Sequence, residues 1–343
     1  RYDGYETKVY KPSSFTKTEV VDLSQCIEID TDGKIVFGTG AGIFFISPEK
    51  DSITRRVSFA SINYDDIFVN NIFAICPDKN ILWIGTGNGL IRFDKITGKV
   101  KYFNSEALIP GWKSKRCWIK SIIKNDSGSI YIATQKGLVE MHTTTFKTNV
   151  YSRAGTGKYF IDNDYFSSLS FDKEGRLWSG SLRQGVFCMD LQSGIYRNLN
   201  FTGLTDSAEE FNEIKRIIVD KEGFVWAGTQ YTGLARINSR DFSIQRIKHN
   251  ILVPNGLSSD LISALYEDRN GILWIGTYDN GVNRTNLKGT RFVNIPYASP
   301  DSLCFNIKAV DCFGEQNDEF VWVGTMKGLY RFNQKTYTCN TFE

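Results

Sequence analysis

Short apolar stretches separated by turn-forming residues recur along the whole chain, and one pattern of apolar, small and hydroxyl positions repeats seven times. The best-formed copy is Gly271-Ile-Leu-Trp-Ile-Gly-Thr277, followed by Gly281, Val282 and Arg284. Its aromatic position is filled by Val36, Trp83, Tyr131, Trp178, Trp226, Trp274 and Trp322, at a spacing of 47 or 48 residues. Two residues later stand Gly38, Gly85, Ala133, Gly180, Gly228, Gly276 and Gly324, each followed by Thr or Ser. A second glycine closes every copy, at 42, 89, 137, 185, 233, 281 and 328. A period of this length marks a repeat architecture.

Each copy reads as four short strands. An apolar strand such as Leu261–Tyr266 leads through an Asp-x-x-Gly turn (Asp172–Gly175, Asp220–Gly223, Asp268–Gly271) into the tryptophan strand. A turn ending at the second glycine then leads to a third strand, often carrying an arginine (Arg92, Arg236, Arg284, Arg331), and a fourth completes the unit. Such turn residues supply the positive φ that tight hairpins need. In the tryptophan strand Ile272, Trp274 and Gly276 face one way and Leu273, Ile275 and Thr277 the other. Both faces are largely apolar, so the sheet is covered on both sides. A two-sheet sandwich leaves one polar face on most strands, whereas a propeller blade lies between neighbours. The pattern therefore predicts an all-β chain, a seven-bladed β-propeller of four-stranded antiparallel blades. The predicted blades are approximately 20–60, 61–107, 108–155, 156–203, 204–250, 251–298 and 299–343 of a single domain, with 1–12 as the tail of a preceding repeat or a ring-closing strand. The glycine after the tryptophan is expected to admit an aromatic side chain from the adjacent blade. Hairpin parity places the Asp-x-x-Gly turns on one face and the Thr…Gly turns, with the long inter-blade segments, on the other.

Composition narrows the function classes. Hydrophobic residues make up 41% of the chain and aromatics 14%, too much for disorder. A net charge of +3 over 343 residues argues against general nucleic-acid binding. No apolar run approaches the length of a membrane helix, and Arg1–Tyr10 lack a signal-peptide core. The seven cysteines form no CxxC pair, and the only histidines are His142 and His249, so metal or histidine-based catalysis has little raw material. Gly38-Thr-Gly-Ala-Gly42 and Gly85-Thr-Gly-Asn-Gly89 mimic dinucleotide loops but are the repeat's own turns, with no helix following. Gly155-Thr-Gly-Lys158 looks like part of a phosphate loop, yet Ser152 and Tyr159 break the pattern. No cofactor is expected.

The run Ile81-Leu-Trp-Ile-Gly-Thr-Gly-Asn-Gly-Leu-Ile-Arg-Phe-Asp94 resembles the two-component regulator propeller repeat, and so do Gly223–Asn238 and Gly271–Asn286. The Ser-Leu elements at Asp301–Leu303 and Gly256–Ser259 fit that family's longer connections. Blade one departs from the pattern, with Val36 for the aromatic and Phe45 in the arginine column. The resemblance implies the periplasmic sensor region of a Bacteroides-type hybrid two-component histidine kinase. It implies as partners a second propeller of the same chain and a second copy in the intact sensor. It also implies an oligosaccharide ligand, membrane contact only through other parts of the parent chain, and kinase chemistry only in a cytoplasmic part outside this segment.

Function in repeat scaffolds tends to sit where the repeat is broken. Five of seven tryptophans fill the repeat column, so Trp112 and Trp118 stand apart, in a segment that also carries Lys113, Lys115 and Arg116. Tyr159, Tyr165, Arg183, Tyr231, Tyr278, Asp279 and Asn280 fall on the same predicted loop face and complete the candidate ligand-binding set. Aromatic rings can stack on sugars, and charged or amide groups can bind hydroxyls or acidic substituents. Against this stands a structural role in which the rings pin loops and the basic run is a solvated surface. Two other functions fit the sequence. One is a propeller glycoside hydrolase or lyase, for which Asp65, Asp66, Asp162, Asp164 and Asp279 are available without a diagnostic spacing. The other is a passive dimerisation or inter-propeller scaffold.

Overall fold

The repeat folds into seven four-stranded antiparallel sheets, each built from four consecutive strands, a seven-bladed β-propeller. The computed structural model describes residues 25–47, 52–62, 67–114, 116–200, 213–253, 255–287, 292–295, 309–326, 328–335 and 338–342. The proposed tail at 1–12, Lys115, Asp65, Asp66 and Asp301–Leu303 lie outside the described residues.

Blade one comprises β1 (Cys26–Ile29), β2 (Ile35–Thr39), β3 (Gly42–Ser47) and β4 (Ser52–Val57). Blade two comprises β5 (Ile72–Asp78), β6 (Ile81–Thr86), β7 (Gly89–Asp94) and β8 (Val100–Phe103); a short helix, α1 (Ser105–Leu108), follows it. Blade three is β9 (Ile119–Lys124), β10 (Ser129–Thr134), β11 (Gly137–His142) and β12 (Thr148–Tyr151). Blade four is β13 (Phe166–Phe171), β14 (Leu177–Ser181), β15 (Val186–Met189) and β16 (Tyr196–Leu199). Blade five is β17 (Ile214–Val219), β18 (Phe224–Thr229), β19 (Leu234–Asn238) and β20 (Ile244–Ile247). Blade six is β21 (Ile262–Glu267), β22 (Ile272–Thr277), β23 (Val282–Asn286) and β24 (Phe292–Ile295). Blade seven is β25 (Val310–Glu315), β26 (Phe320–Thr325), β27 (Gly328–Asn333) and β28 (Thr338–Phe342). The chain groups into two compact units. One contains residues 73–248 with 260–262; the other contains 1–72, 249–259 and 263–343.

Within each unit the core lies between neighbouring blades. Trp83 packs with Ile122, Ile130 and Met141 of blade three, and Trp178 with Ile217, Val225 and Ile237 of blade five. In the other unit Trp274 packs with Phe313 and Val323 of blade seven, and Trp322 with Ile27, Ile35 and Phe37 of blade one. The repeated aromatic thus fills the gap to the next blade. The small residue two positions later has a different neighbour from the aromatic expected. A Cβ at Gly276 would lie 2.6 Å from Val310 Cγ1, and one at Gly180 would lie 2.6 Å from Ile214 Cγ2. The close approach is to the aliphatic residue that opens the next blade's first strand, because a β-branched side chain fits that buried strand position.

The other repeated residues are also committed to the scaffold. Asp268 Oδ1 accepts from the backbone N–H groups of Asn270 and Ile272, both at 2.9 Å, while Oδ2 accepts from the Trp274 indole at 2.9 Å. Asp172 and Asp220 repeat this arrangement with Trp178 and Trp226 at 2.7 and 2.8 Å. The hydroxyl after the first glycine closes the other hairpin: Thr277 Oγ1 donates to the carbonyl of Gly281 at 2.9 Å and Thr86 Oγ1 to that of Gly89 at 2.9 Å. Gly281 itself has φ +67°, a conformation that favours glycine. The arginine column lies opposite the tryptophan column in register, with Arg236, Arg284 and Arg331 over the Trp226, Trp274 and Trp322 rings at 5.4, 5.7 and 5.9 Å.

Candidate functional site

The first strands of successive blades pack on one another, β9 on β13 and β13 on β17 in one unit and β25 on β1 in the other, which makes them the inner strands. Each starts at the end of its blade that carries the Thr…Gly turn, since Ile119 pairs with Thr134 and Ile214 with Thr229. At that start β9, β13, β17 and β25 each carry a bulge that leaves one residue unpaired: Lys120, Ser167, Lys215 and Asp311. A bulge frees a side chain from the alternation of the strand and re-aims it. Ser167 Oγ uses this freedom to donate to the carbonyl of Ile214 on the next blade. Lys120 and Lys215 reach further.

Lys120 Nζ lies 3.7 Å from the centroid of the Phe73 ring and 5.3 Å from that of Trp118. The two rings are 6.4 Å apart, tilted by 49°. Burial, followed by the charges of Arg216 and Lys215, pushes the ammonium's pKa down to about 8. Lys215 pairs with Glu213 at 2.5 Å, and no carboxylate lies within ion-pair distance of Lys120 or Arg216 among the described residues. The indole N–H of Trp118 is buried without a hydrogen-bond partner. Tyr165 is half-buried, and burial together with Glu213 raises its hydroxyl above the ordinary phenol range. One unit thus gathers Phe73, Trp118, Lys120, Glu213, Lys215 and Arg216, three cations against one carboxylate.

The segment from Trp112 to Trp118 divides in two. Asn104 caps α1 by accepting from the N–H of Ala107 at 2.9 Å, and Ser105 Oγ donates to the carbonyl of Ser114 at 2.9 Å. Trp112 is half-buried against the apolar cluster of Leu108, Ile109 and Cys117. Lys113 is exposed, 3.9 Å from Glu106, and Arg116 is exposed. Cys117 bridges to Asn88, with its carbonyl accepting from the N–H of Gly89 at 2.8 Å, so Trp118 is fixed at the start of the inner strand.

Other candidates hold loops. Tyr159 is half-buried, edge-on to Tyr151 at 5.2 Å. Asp162 pairs with Arg153 at 2.8 Å, and Asp164 lies 3.7 Å from Lys136, so these carboxylates clamp the same loop. Arg183 and Tyr231 are exposed at the tips of their turns; the Tyr231 hydroxyl accepts from Gln230 Nε2 at 2.6 Å. In the other unit Tyr278 is exposed, while Asn280 Nδ2 donates to the carbonyl of Ser258 at 3.1 Å and serves as a strut. Asp279 is half-buried beside it, its Oδ1 unpartnered. Burial pushes the thiols of Cys117 and Cys188 up to about 12, as expected for packing residues rather than nucleophiles.

Sequence reasoning named Trp118 and Tyr165 but passed over Phe73, Lys215 and Arg216. The signal was present. Ile119-Lys-Ser-Ile-Ile and Ile214-Lys-Arg-Ile-Ile interrupt apolar strands with charges where a bulge falls.

Fold and side chains together define a β-propeller of seven repeat-encoded blades with an unbalanced cationic cluster on its inner strands. Residues 256–279 match the two component regulator propeller family. No curated protein sequence matches the chain. Among solved structures, the extracellular domain of the hybrid two component system BT3049 from B. thetaiotaomicron is similar at a TM-score of 0.71 and 19% identity, over 90% of this chain and 39% of that one. The extracellular domain of the one component system BT4673 from the same organism gives 0.60 and 18%, over 93% and 48%. Virginiamycin B lyase from Staphylococcus aureus gives 0.66 and 15%, over 91% and 94%. The chain therefore spans less than half the length of the two Bacteroides domains. Among the described residues no helix is long and apolar enough to cross a membrane.

Proposed function

We propose that this propeller is the periplasmic ligand-sensing part of a two-component sensor, recognising an oligosaccharide and controlling the genes for its use. The observation that carries the reading is the match of residues 256–279 to the two component regulator propeller. The similarity to extracellular domains of such systems supports it. So does the commitment of Asp162 and Asp164 to ion pairs, which leaves them poor candidates for a hydrolase pair. A second propeller of the parent chain and a second copy of the sensor are its partners in this reading. Signalling then follows from a ligand that binds one arrangement of the sensor better than another, since equal affinity for both shifts nothing. Calorimetry of the chain, and of a longer chain that includes its neighbours, against a library of host and plant oligosaccharides tests the reading. Saturable binding of one structural class is expected. Failure of every oligosaccharide to bind the longer chain would sink it.

A further inference from the structure

The inner-strand cluster has an unusual charge balance. Lys120, Lys215 and Arg216 converge closely enough to act on one another, and Glu213 offsets only one of them. Like charges brought together at a partly desolvated position destabilise a fold unless an opposite charge joins them. Among the described residues no second carboxylate lies within ion-pair distance of the three cations. Elsewhere in the same unit the inner-strand polar groups are satisfied within the protein: Ser121 Oγ accepts from the N–H of Leu169 at 3.2 Å, Ser168 Oγ from that of Ile217 at 3.0 Å and Ser170 Oγ from that of Val219 at 3.1 Å. Lys120 and Arg216, without a carboxylate partner among the described residues, are the exception.

Four features make the cluster fit for a ligand rather than merely strained. Bulges present Lys120 and Lys215 off the strand alternation. The Phe73 and Trp118 rings hold the Lys120 ammonium in place, which lowers the entropy lost when it engages an anion. The Lys215 side chain keeps 28% of its surface open to solvent, so the cluster can be reached. Arg216 adds a planar fork with no hydrogen-bond partner among the described residues, suited to two oxygens of a carboxylate or sulfate.

We propose that Lys120, Lys215 and Arg216, beside Phe73 and Trp118, form an anion-binding site that takes the carboxylate or sulfate group of an acidic sugar. The sugar part of this assignment rests on the ligand-sensing reading above; the anion part rests on the cluster alone. The exposed Lys113 and Arg116, by contrast, are not the source of the selectivity.

The test compares glucuronate, glucose 6-sulfate, glucose and inorganic sulfate by calorimetry, with Trp118 emission as a second readout. The two sugar acids are expected to bind at least tenfold more tightly than glucose, to weaken as salt rises, and to change Trp118 emission. Arg216→Ala and Lys120→Met are expected to weaken them at least tenfold, each with an unchanged circular dichroism spectrum, while Lys113→Ala leaves them alone. Equal binding of glucose, or sugar-acid binding that survives both substitutions, overturns the anion site but leaves oligosaccharide sensing standing. Inorganic sulfate binding as tightly as glucose 6-sulfate overturns the acidic-sugar assignment. Failure of all four probes overturns the proposal, while binding of larger neutral oligosaccharides to the same preparation would still support the sensing reading.

Discussion

The two ends of the blades obey different rules. At the Asp-x-x-Gly end the same residues do the same work in successive blades: Asp172, Asp220 and Asp268 each gather two backbone N–H groups and one indole. At the other end, the position just inside the first strand is Lys120 in blade three, Ser167 in blade four, Lys215 in blade five and Asp311 in blade seven. Packing dictates the first set, because each buried polar atom there needs its partner. The bulged position belongs to no ladder pair and is filled by residues of different chemistry from blade to blade, so the fold leaves its chemistry open. Sites in a repeat protein are therefore best sought at positions the repeat does not dictate.

The sharpest way to break this comparison is at the dictated end. Asp268→Ala removes the acceptor of two backbone donors and a buried indole N–H. Each orphaned buried donor costs about 1–3 kcal/mol, and part of that is recovered by water at the turn. The expected loss is about 3 kcal/mol, read from urea unfolding, with ligand affinity of the folded protein unchanged. A natural contrast exists in blade two. There β5 and β6 are joined by the tight turn Lys79–Asn80, with Lys79 at φ +54°, and the Trp83 indole N–H is buried without a partner. If Asp268→Ala proves neutral, the carboxylate–indole bond is not what holds this end.

These rules also explain what the sequence reveals and what it hides. Seven aromatic positions, two glycine columns and the Asp-x-x-Gly turns specify blades and strand order, because they are the residues that packing and turn geometry constrain. The hydroxyl and arginine columns were visible as columns, but their purposes, closing a hairpin and covering the tryptophan ring, needed coordinates. The glycine at 276 was read correctly as a close approach but paired with the wrong neighbour, since the sequence cannot tell which residue of the next blade arrives there. Trp118 was legible as an off-repeat aromatic. Its partner Phe73 was not, because an apolar residue in an apolar strand carries no mark, whereas Lys120 is marked only as a charge that interrupts an apolar strand.

At the variable end, the cationic cluster predicts a stability change of opposite sign. The pKa of Lys120 is lowered to about 8 by burial, Arg216 and Lys215, against about 10.4 for a free lysine. Between those values the unfolded chain binds the proton and the folded one does not, so stability rises with pH across that window. Below pH 8 the charged ammonium disfavours the fold. Lys120→Met is therefore expected to be more stable than the parent at pH 7, with the difference fading as pH climbs from about 8 towards 10.4. Melting temperatures across pH 7–10.5 check this, and a variant less stable at pH 7 would mean that the ammonium's contact with Phe73 outweighs its desolvation.

The smallest expected effect concerns the acidic inner strand of the other unit. Glu28 on β1 lies opposite Val36 with part of its side chain in contact with water, yet the protein packed around it desolvates the carboxylate and pushes its pKa up to about 7. Glu315 in the same unit is buried but well provided for: it accepts from the Tyr266 hydroxyl at 3.1 Å and from the N–H of Arg269 at 3.0 and 3.1 Å. The comparison isolates partnership from burial. A carboxyl with a raised folded pKa holds its proton in the native state while the unfolded chain has already lost it. Stability from Glu28 is therefore greatest below about pH 4.5 and declines as pH rises to about 7. Because water reaches the side chain, the slope is shallow. Glu28→Gln should remove that slope, giving a slightly more stable protein at pH 8 and no difference near pH 4, measured as the change in urea midpoint. A variant less stable than the parent at pH 8, with the gap closing on acidification, would assign Glu28 a favourable charged partner and make it an ion the fold uses rather than tolerates.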